Sequence, residues 1–232
     1  MENKTAILVF ANSAREEIKH KEIPGGGALF NGLTTHTLKT VENTKLPFFH
    51  CTEQQQWGNS FGERFLNAIN WVFDKGYQNV ITIGNDTPQL TTNLILNTHS
   101  QLTDNKIVLG PSCDGGFYLM GFHKSLLKII GEDQFKNLPW KTASLNNTLN
   151  KLLKFINGTT VSLPTLQDLD DLSDVKTLMD LYPTFTNKIR AILRSIFRTV
   201  INIIALPLQL TRLYFFNYYF NKGSPALELS KI

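Results

Sequence analysis

Residues 79–90 read NVITIGNDTPQL. Val80 to Ile83 is a short apolar, β-branched run that ends in Gly84 and then an acidic residue, Asp86. Such a run bounded by turn residues predicts a strand buried on both faces. Pro88 cannot continue a central strand, so the strand stops near Gly84. Thr91 or Thr92 is then placed to cap the next helix. Asp86 falls just past the carboxyl end of a buried strand, the edge at which open α/β sheets bind ligands. The same position also suits an Asp that hydrogen-bonds its own turn.

Outward from this stretch, TAILVFAN (5–12) is a second buried strand by the same argument. Residues 13–27 follow as a polar loop with Arg15, Lys19, His20, Lys21 and three successive glycines. Basic side chains at a strand end can hold a diphosphate, or they are scattered charge on a solvated loop. The glycines do not make a Walker loop, because no Gly-Lys-Ser/Thr follows. Ala28 to Thr44 reads as a helix and Pro47 to Cys51 as a short strand. Ser60 with Glu63 is a capping box, and Phe61, Phe65, Ile69 and Val72 form one apolar face of a helix ended by Gly76. Gly58 and Gly62 let a ligand approach the backbone at that helix start, where free N–H groups favour anions.

Leu94 to Leu102 reads as a helix, residues 106–111 as a strand and Phe117 to Phe122 as a further strand. Between the last two lies Asp114–Gly115–Gly116, a tight-turn sequence. Asp114 follows a strand end as Asp86 does, and two carboxylates at one sheet edge can share a divalent cation. Ser125 to Ile130 is a short helix, and Thr142 or Ser144 caps one that runs to Phe155. Thr159 to Leu163 is a strand. Asp168, Asp170, Asp171 and Asp174 then crowd the approach to a last helix, capped by Ser173 and reaching Tyr182. Helix capping accounts for Asp171 and Asp174 better than for Asp168 and Asp170. Strands and helices alternate throughout, which predicts an α/β fold with a mostly parallel sheet and helices on both faces.

The length of 232 residues allows one large domain, or one domain with an appendage. A chain that is 42% hydrophobic and 18% charged can bury a sizeable core. Cys51 and Cys113 are too few for a disulfide framework and read as reduced thiols of a cytoplasmic protein. The first apolar run, Ala6 to Ala11, is too short for a signal peptide.

The net charge of +4 is unevenly placed. From Pro183 onward there are seven Lys and Arg and one acid, Glu228, which leaves 16 basic and 18 acidic residues before it, a net of −2. The body therefore lacks the basic face of a nucleic-acid binder. In the tail, Ile189, Ile192, Leu193, Ile196, Val200, Ile203 and Ile204 share a helical face, with Lys188, Arg190, Arg194 and Arg198 largely off it. A basic amphipathic helix of this kind can lie on an anionic bilayer. The alternative is that the stripe packs on the domain or on a second copy. Arg198 and Arg212 bracket a run too short to span a membrane. The expected division is a domain over residues 1–183 and a helical tail over 184–232, with peripheral contact to the inner face of the membrane as one role for the tail.

Together, WGNSFGERF (57–65), GNDTPQL (84–90), LGPSCDGGFYLMGF (109–122) and LPTLQDLDDLSDV (163–175) carry a resemblance. The chain resembles the uncharacterised bacterial GT-A-fold, glycosyltransferase-like proteins of the radical-SAM/selenodomain-associated transferase 1 type, related at fold level to MobA-like nucleotidyltransferases. The resemblance covers about residues 5 to 182. It implies a nucleotide-diphospho-sugar transferase fold with Mg²⁺ or Mn²⁺. It places Asp86, Asp168 and Asp170 as metal ligands and Asp114, of the D-G-G motif, as a catalytic or acceptor-binding residue. Gly58, Gly62, Arg64, Gly115 and Gly116 fall near the nucleotide. One departure concerns the loop after the first strand, where many members carry Lys-Thr-Arg. Lys19 and Lys21 stand in here.

The expected activity is metal-dependent transfer of a sugar from a nucleotide-diphospho-sugar donor to an acceptor that the sequence does not name. Nucleotidyl transfer from a nucleoside triphosphate is the alternative on the same fold, and a non-catalytic nucleotide-binding scaffold is a third reading. No nucleic-acid partner is expected.

Overall fold

A computed structural model describes residues 4–21, 23, 26–103, 106–156, 158–181, 190, 191, 193 and 194. Its core is a six-stranded sheet in the order β2-β1-β3-β5-β4-β6. The strands are β1 (Thr5–Phe10), β2 (Phe48–Cys51), β3 (Asn79–Ile83), β4 (Lys106–Pro111), β5 (Phe117–His123) and β6 (Thr159–Ser162). β1 pairs parallel with β2 and β3, and β4 pairs parallel with β6, while β5 runs antiparallel between β3 and β4. The short Asp114–Gly115–Gly116 turn explains this exception. A tight turn can join antiparallel neighbours, whereas parallel neighbours need a crossover.

Alternation along the strands builds two apolar layers. Ala6 and Leu8 of β1, with Val80 of β3, face a cluster filled by α3 (Phe61–Asp74), α5 (Lys124–Ile130), α6 (Glu132–Lys136) and α7 (Leu145–Phe155). Ile7 and Val9, with Ile81 and Ile83, face α2 (Gly26–Glu42) and α4 (Thr92–Gln101) through Val41 and Ile95. Side chains two apart share a face of a strand, so strands apolar at every position must be covered on both sides. Both strands are buried at nearly every position. The α/β fold predicted from the sequence, with a mostly parallel sheet and helices on both faces, is the one observed.

Two of the expected caps are observed, and Ser144 at the start of α7 makes no side-chain cap bond. Ser60 accepts from the Glu63 N–H at the start of α3, and Thr91 accepts from the Leu94 N–H at the start of α4. Two short helices were not anticipated. α1 (Ala14–Glu17) occupies part of the expected polar loop, with Ser13 as its cap. α6 follows α5 after Gly131, whose φ of 87° breaks the helix. At α8 (Leu172–Leu181) the cap is Asp171 rather than Ser173: its carboxylate accepts from the Ser173 and Asp174 N–H groups at 2.7 and 3.1 Å.

A third cluster joins α1, α2 and α8 through Ala14, Leu29, Phe30, Leu33, Val175 and Leu178, and Leu193 is fully buried in it. At this one described position, the apolar stripe of the tail packs on the body. The other stripe residues lie outside the described residues. Among the described residues, no helix is long and apolar enough to cross a membrane.

Candidate functional site

β1, β3, β4 and β6 end on the same edge of the sheet, and the segments that leave those ends line a cleft of about 650 Å³. Asp86 follows β3, Asp114 follows β4, and Asp168 and Asp170 follow β6, so strands far apart in sequence deliver all four acids to one place. β6 is prolonged toward the cleft by a bridge between Ser112 and Leu166, which ties the two acid-bearing loops together.

Asp114, Asp168 and Asp170 each present a carboxylate oxygen within 4.8 Å of the others. The turn fixes Asp114, whose Oδ1 accepts from the Gly116 N–H at 2.8 Å and from the Ser112 hydroxyl. Gly115 has a φ of 93°, and a Cβ there would lie 2.8 Å from the Ala143 Cα. Glycine is therefore required both by the backbone conformation and by the close approach of the Ala143 segment. Asp168 is only 7% exposed. Burial pushes its carboxyl up to about 7, the Asp114 charge adds to this, and its own backbone N–H opposes it. Asp168, the buried member of this acid cluster, gains from either a proton or a cation. An all-oxygen donor set of carboxylates suits Mg²⁺ or Mn²⁺.

Asp86 has a different partner. Its Oδ2 lies 3.0 Å from the Lys21 ammonium, which also donates to the Leu169 carbonyl at 3.0 Å and lies 2.8 Å from Asp170 Oδ1. Glu17 Oε2 is 3.8 Å from the same nitrogen. Burial pulls the Lys21 pKa down, but the surrounding carboxylates, Asp86 foremost, leave it above its ordinary value. Burial raises that of Glu17, opposed by Lys21 and reinforced by Asp86. The carboxylate trio thus contains Asp114 where the sequence reading had placed Asp86.

The remaining expected residues separate into two groups. Arg64 and Gly116 line the cleft. Lys19 does not line it, and its exposed ammonium pairs with Glu16 at 2.6 Å. Gly58 and Gly62 are not in the lining either. A Cβ on Gly62 would collide with the Lys136 carbonyl and the Trp140 ring, so the close approach it allows is between α3 and the end of α6 with the chain that follows it. Gly58 has a φ of 135°, and a Cβ there would meet the Glu63 side chain at 2.9 Å.

Three lining residues escaped the sequence reading. Glu17 sits on α1, whose Ser13-x-x-Glu16 capping-box pattern was the available signal. Glu53 accepts from the Ser13 N–H and hydroxyl at 2.7 and 2.8 Å and pins the start of α1. Lys141 has a φ of 60° and lies with its ammonium 5.3 Å from the centre of the Phe61 ring. Nothing in sequence marks it. Arg64 and Lys141 have no ion-pair partner among the described residues, unlike Lys21, so they supply the uncompensated positive charge of the cleft.

Comparison with one solved structure agrees with the fold. Residues 31–142 match the model of a bacterial family described as "Uncharacterized protein conserved in bacteria (DUF2064)". That span contains three of the four stretches that carry the sequence resemblance. A Desulfovibrio desulfuricans G20 protein, provisionally named a nucleotide-diphospho-sugar transferase, is similar over 84% of this chain and 97% of its own, with a TM-score of 0.70 and 21% identity. A glycosyltransferase involved in glycosylation of the major capsid of PBCV-1 aligns over 69% of this chain and 81% of its own, at TM-score 0.45 and 14% identity. A nucleotidyl transferase from a Methanothermobacter species aligns over 78% and 98%, at TM-score 0.46 and 10% identity. No curated protein matches the sequence.

Proposed function

We propose that this chain is a metal-dependent glycosyltransferase that takes its sugar from a nucleotide-diphospho-sugar. The observation that carries this reading is the convergence of Asp114, Asp168 and Asp170 at the carboxyl edge of a GT-A-like sheet, in a cleft that also holds Arg64 and Lys141. The trio fits one Mg²⁺ or Mn²⁺. When bound, the cation would neutralise diphosphate charge and act as a Lewis acid toward the leaving group.

The chain's own residues do the rest. Ser112 and the Gly116 N–H hold one oxygen of Asp114, which leaves the other free to ligate. This assigns Asp114 as a ligand in place of a catalytic base. Arg64 and Lys141 place positive charge for the donor's phosphates. Phe61, Phe65 and Trp140 pack against one another at centroid distances of 5.3 to 5.7 Å and give the cleft a rigid aromatic wall. That wall excludes water from the transferring sugar.

Phosphorus NMR of a panel of nucleotide-sugars and nucleoside triphosphates, with and without Mn²⁺, tests the reading. Slow Mn²⁺-dependent release of nucleoside diphosphate from one nucleotide-sugar is expected. Pyrophosphate release from a triphosphate in the presence of sugar phosphates would assign nucleotidyl transfer. Turnover of no donor would favour a binding protein.

A further inference from the structure

Lys21 belongs to the loop whose sequence departs from the family pattern, and it does not offer its charge to the open cleft. Its ammonium is surrounded by oxygens: Asp170 Oδ1 at 2.8 Å, Asp86 Oδ2 at 3.0 Å and the Leu169 carbonyl at 3.0 Å, with Glu17 Oε2 at 3.8 Å. Of the three N–H donors of an ammonium, one goes to Asp86 and one to the Leu169 carbonyl, and Asp170 lies at ion-pair distance from the same nitrogen. The side chain is 14% exposed, and the nitrogen lies 5.7 Å from the centre of the Phe30 ring, so the stem is held by packing as well as by charge.

We infer that the Lys21 ammonium is a built-in cation that fills the position between Asp86 and Asp170, so that the site takes a single divalent ion on the Asp114–Asp168 side and Asp86 serves to hold Lys21. This deepens the metal-dependent reading above and rests on it for the single ion. A divalent ion needs its oxygens at about 2.0–2.6 Å. It cannot share the space between Asp86 and Asp170 with an ammonium already in contact with both. Asp170 is the shared wall: one face meets Lys21, and it is also one of the converging trio. Replacing a strongly hydrated divalent ion by a tethered ammonium also removes the cost of recruiting that ion.

The test counts bound Mn²⁺ by the loss of the free-ion electron paramagnetic resonance signal, on full-length protein without any donor. Wild-type protein is expected to bind one Mn²⁺. Lys21→Met is expected to bind two, and Lys21→Met with Asp86→Asn to return to one. An unchanged count in Lys21→Met overturns the inference. Should wild-type protein bind no Mn²⁺ while Lys21→Met binds one, the metal-dependent function fails and the Lys21 assignment stands. Because Lys21→Met leaves the buried Glu17 and the partly exposed Asp86 and Asp170 without their cation and can fail to fold, a crystal structure of wild-type protein soaked with Mn²⁺ gives an independent answer. Lys21 still bridging Asp86 and Asp170, with the ion elsewhere, supports the inference. An ion between those two carboxylates, with Lys21 displaced, overturns it.

Discussion

Asp171 and Asp174 cap each other across the first turn of α8. Asp171 Oδ1 accepts from the Asp174 N–H at 3.1 Å, and Asp174 Oδ2 accepts from the Asp171 N–H at 3.0 Å and from the Asp170 N–H at 2.9 Å. This reciprocal pair satisfies donors that a helix start leaves open. It also fixes the backbone that carries Asp168 and Asp170 into the cleft. Asp174→Ala is expected to lower stability by about 1 kcal/mol, the usual worth of such a cap, and to weaken Mn²⁺ binding. Asp174→Asn keeps an acceptor and should restore most of both. Urea melts and Mn²⁺ titration on the two variants check this.

Asp168 makes cation binding dependent on pH. Its folded carboxyl titrates at about 7, against 3.8 for an ordinary Asp. Between those values the folded chain holds a proton that the unfolded chain has lost. The stability contribution is therefore fully present below the unfolded value and is lost as pH rises through about 7. A cation must displace that proton, so Mn²⁺ affinity should rise from pH 5.5 to pH 8 and level off above. Asp168→Asn should bind weakly at every pH, with a flat profile. Calorimetric titration across that range, with melting curves of the metal-free protein, tests both signs.

Gly62 is a packing residue. Gly62→Ala drives a methyl into the Lys136 carbonyl and the Trp140 ring, and overpacking of this kind costs about 1–3 kcal/mol. The chemical midpoint should fall, while Mn²⁺ stoichiometry stays as in the wild type. A variant of normal stability that had lost donor affinity would instead return Gly62 to a ligand-contacting role.

Arg64 and Lys141 are expected to act on the donor and not on the cation. Arg64→Ala and Lys141→Ala should each weaken nucleotide-sugar binding by roughly ten- to a hundredfold, in keeping with about 1.5–3 kcal/mol for a hydrogen bond to a charged group. The loss should shrink at high salt. Lys19→Ala should leave binding unchanged, since that side chain is exposed and paired with Glu16. Fluorescence titration with a labelled nucleotide distinguishes the three.

Leu193 tests what the tail does. It is fully buried against α1, α2 and α8, so Leu193→Ala should cost about 2–5 kcal/mol. A stripe that served only a membrane surface would leave soluble stability untouched. Co-sedimentation of full-length protein with anionic vesicles, against a chain ending at Pro183, reads the membrane role separately.

The fold was legible because β1 and β3 carry apolar runs, Ala6–Phe10 and Val80–Ile83, long enough to be covered on both faces, and because the helix starts carry Ser60 and Thr91. The places where the sequence reading fell short have physical causes. α1 is one turn long, too short for periodicity to show, and only the Ser13-x-x-Glu16 spacing marked it. The four acids were legible as residues at strand ends, but their grouping was not. Which acid meets which depends on how far β6 is prolonged by the Ser112–Leu166 bridge and on where Lys21 comes to rest. Both are long-range contacts with no local signature. Lys141 was invisible for the same reason, being brought to the cleft by a loop with a positive φ at a non-glycine residue.

The measurement closest to the central claim is calorimetric titration of nucleotide-diphospho-sugars into wild-type protein and Asp168→Asn, each with and without Mn²⁺. The account predicts that one donor binds wild-type protein only when Mn²⁺ is present, and that Asp168→Asn, folded by its melting curve, binds the ion weakly and gains no donor binding from it. Equal donor binding with and without Mn²⁺, or full Mn²⁺-dependent binding in Asp168→Asn, would contradict a cation site built from Asp114, Asp168 and Asp170.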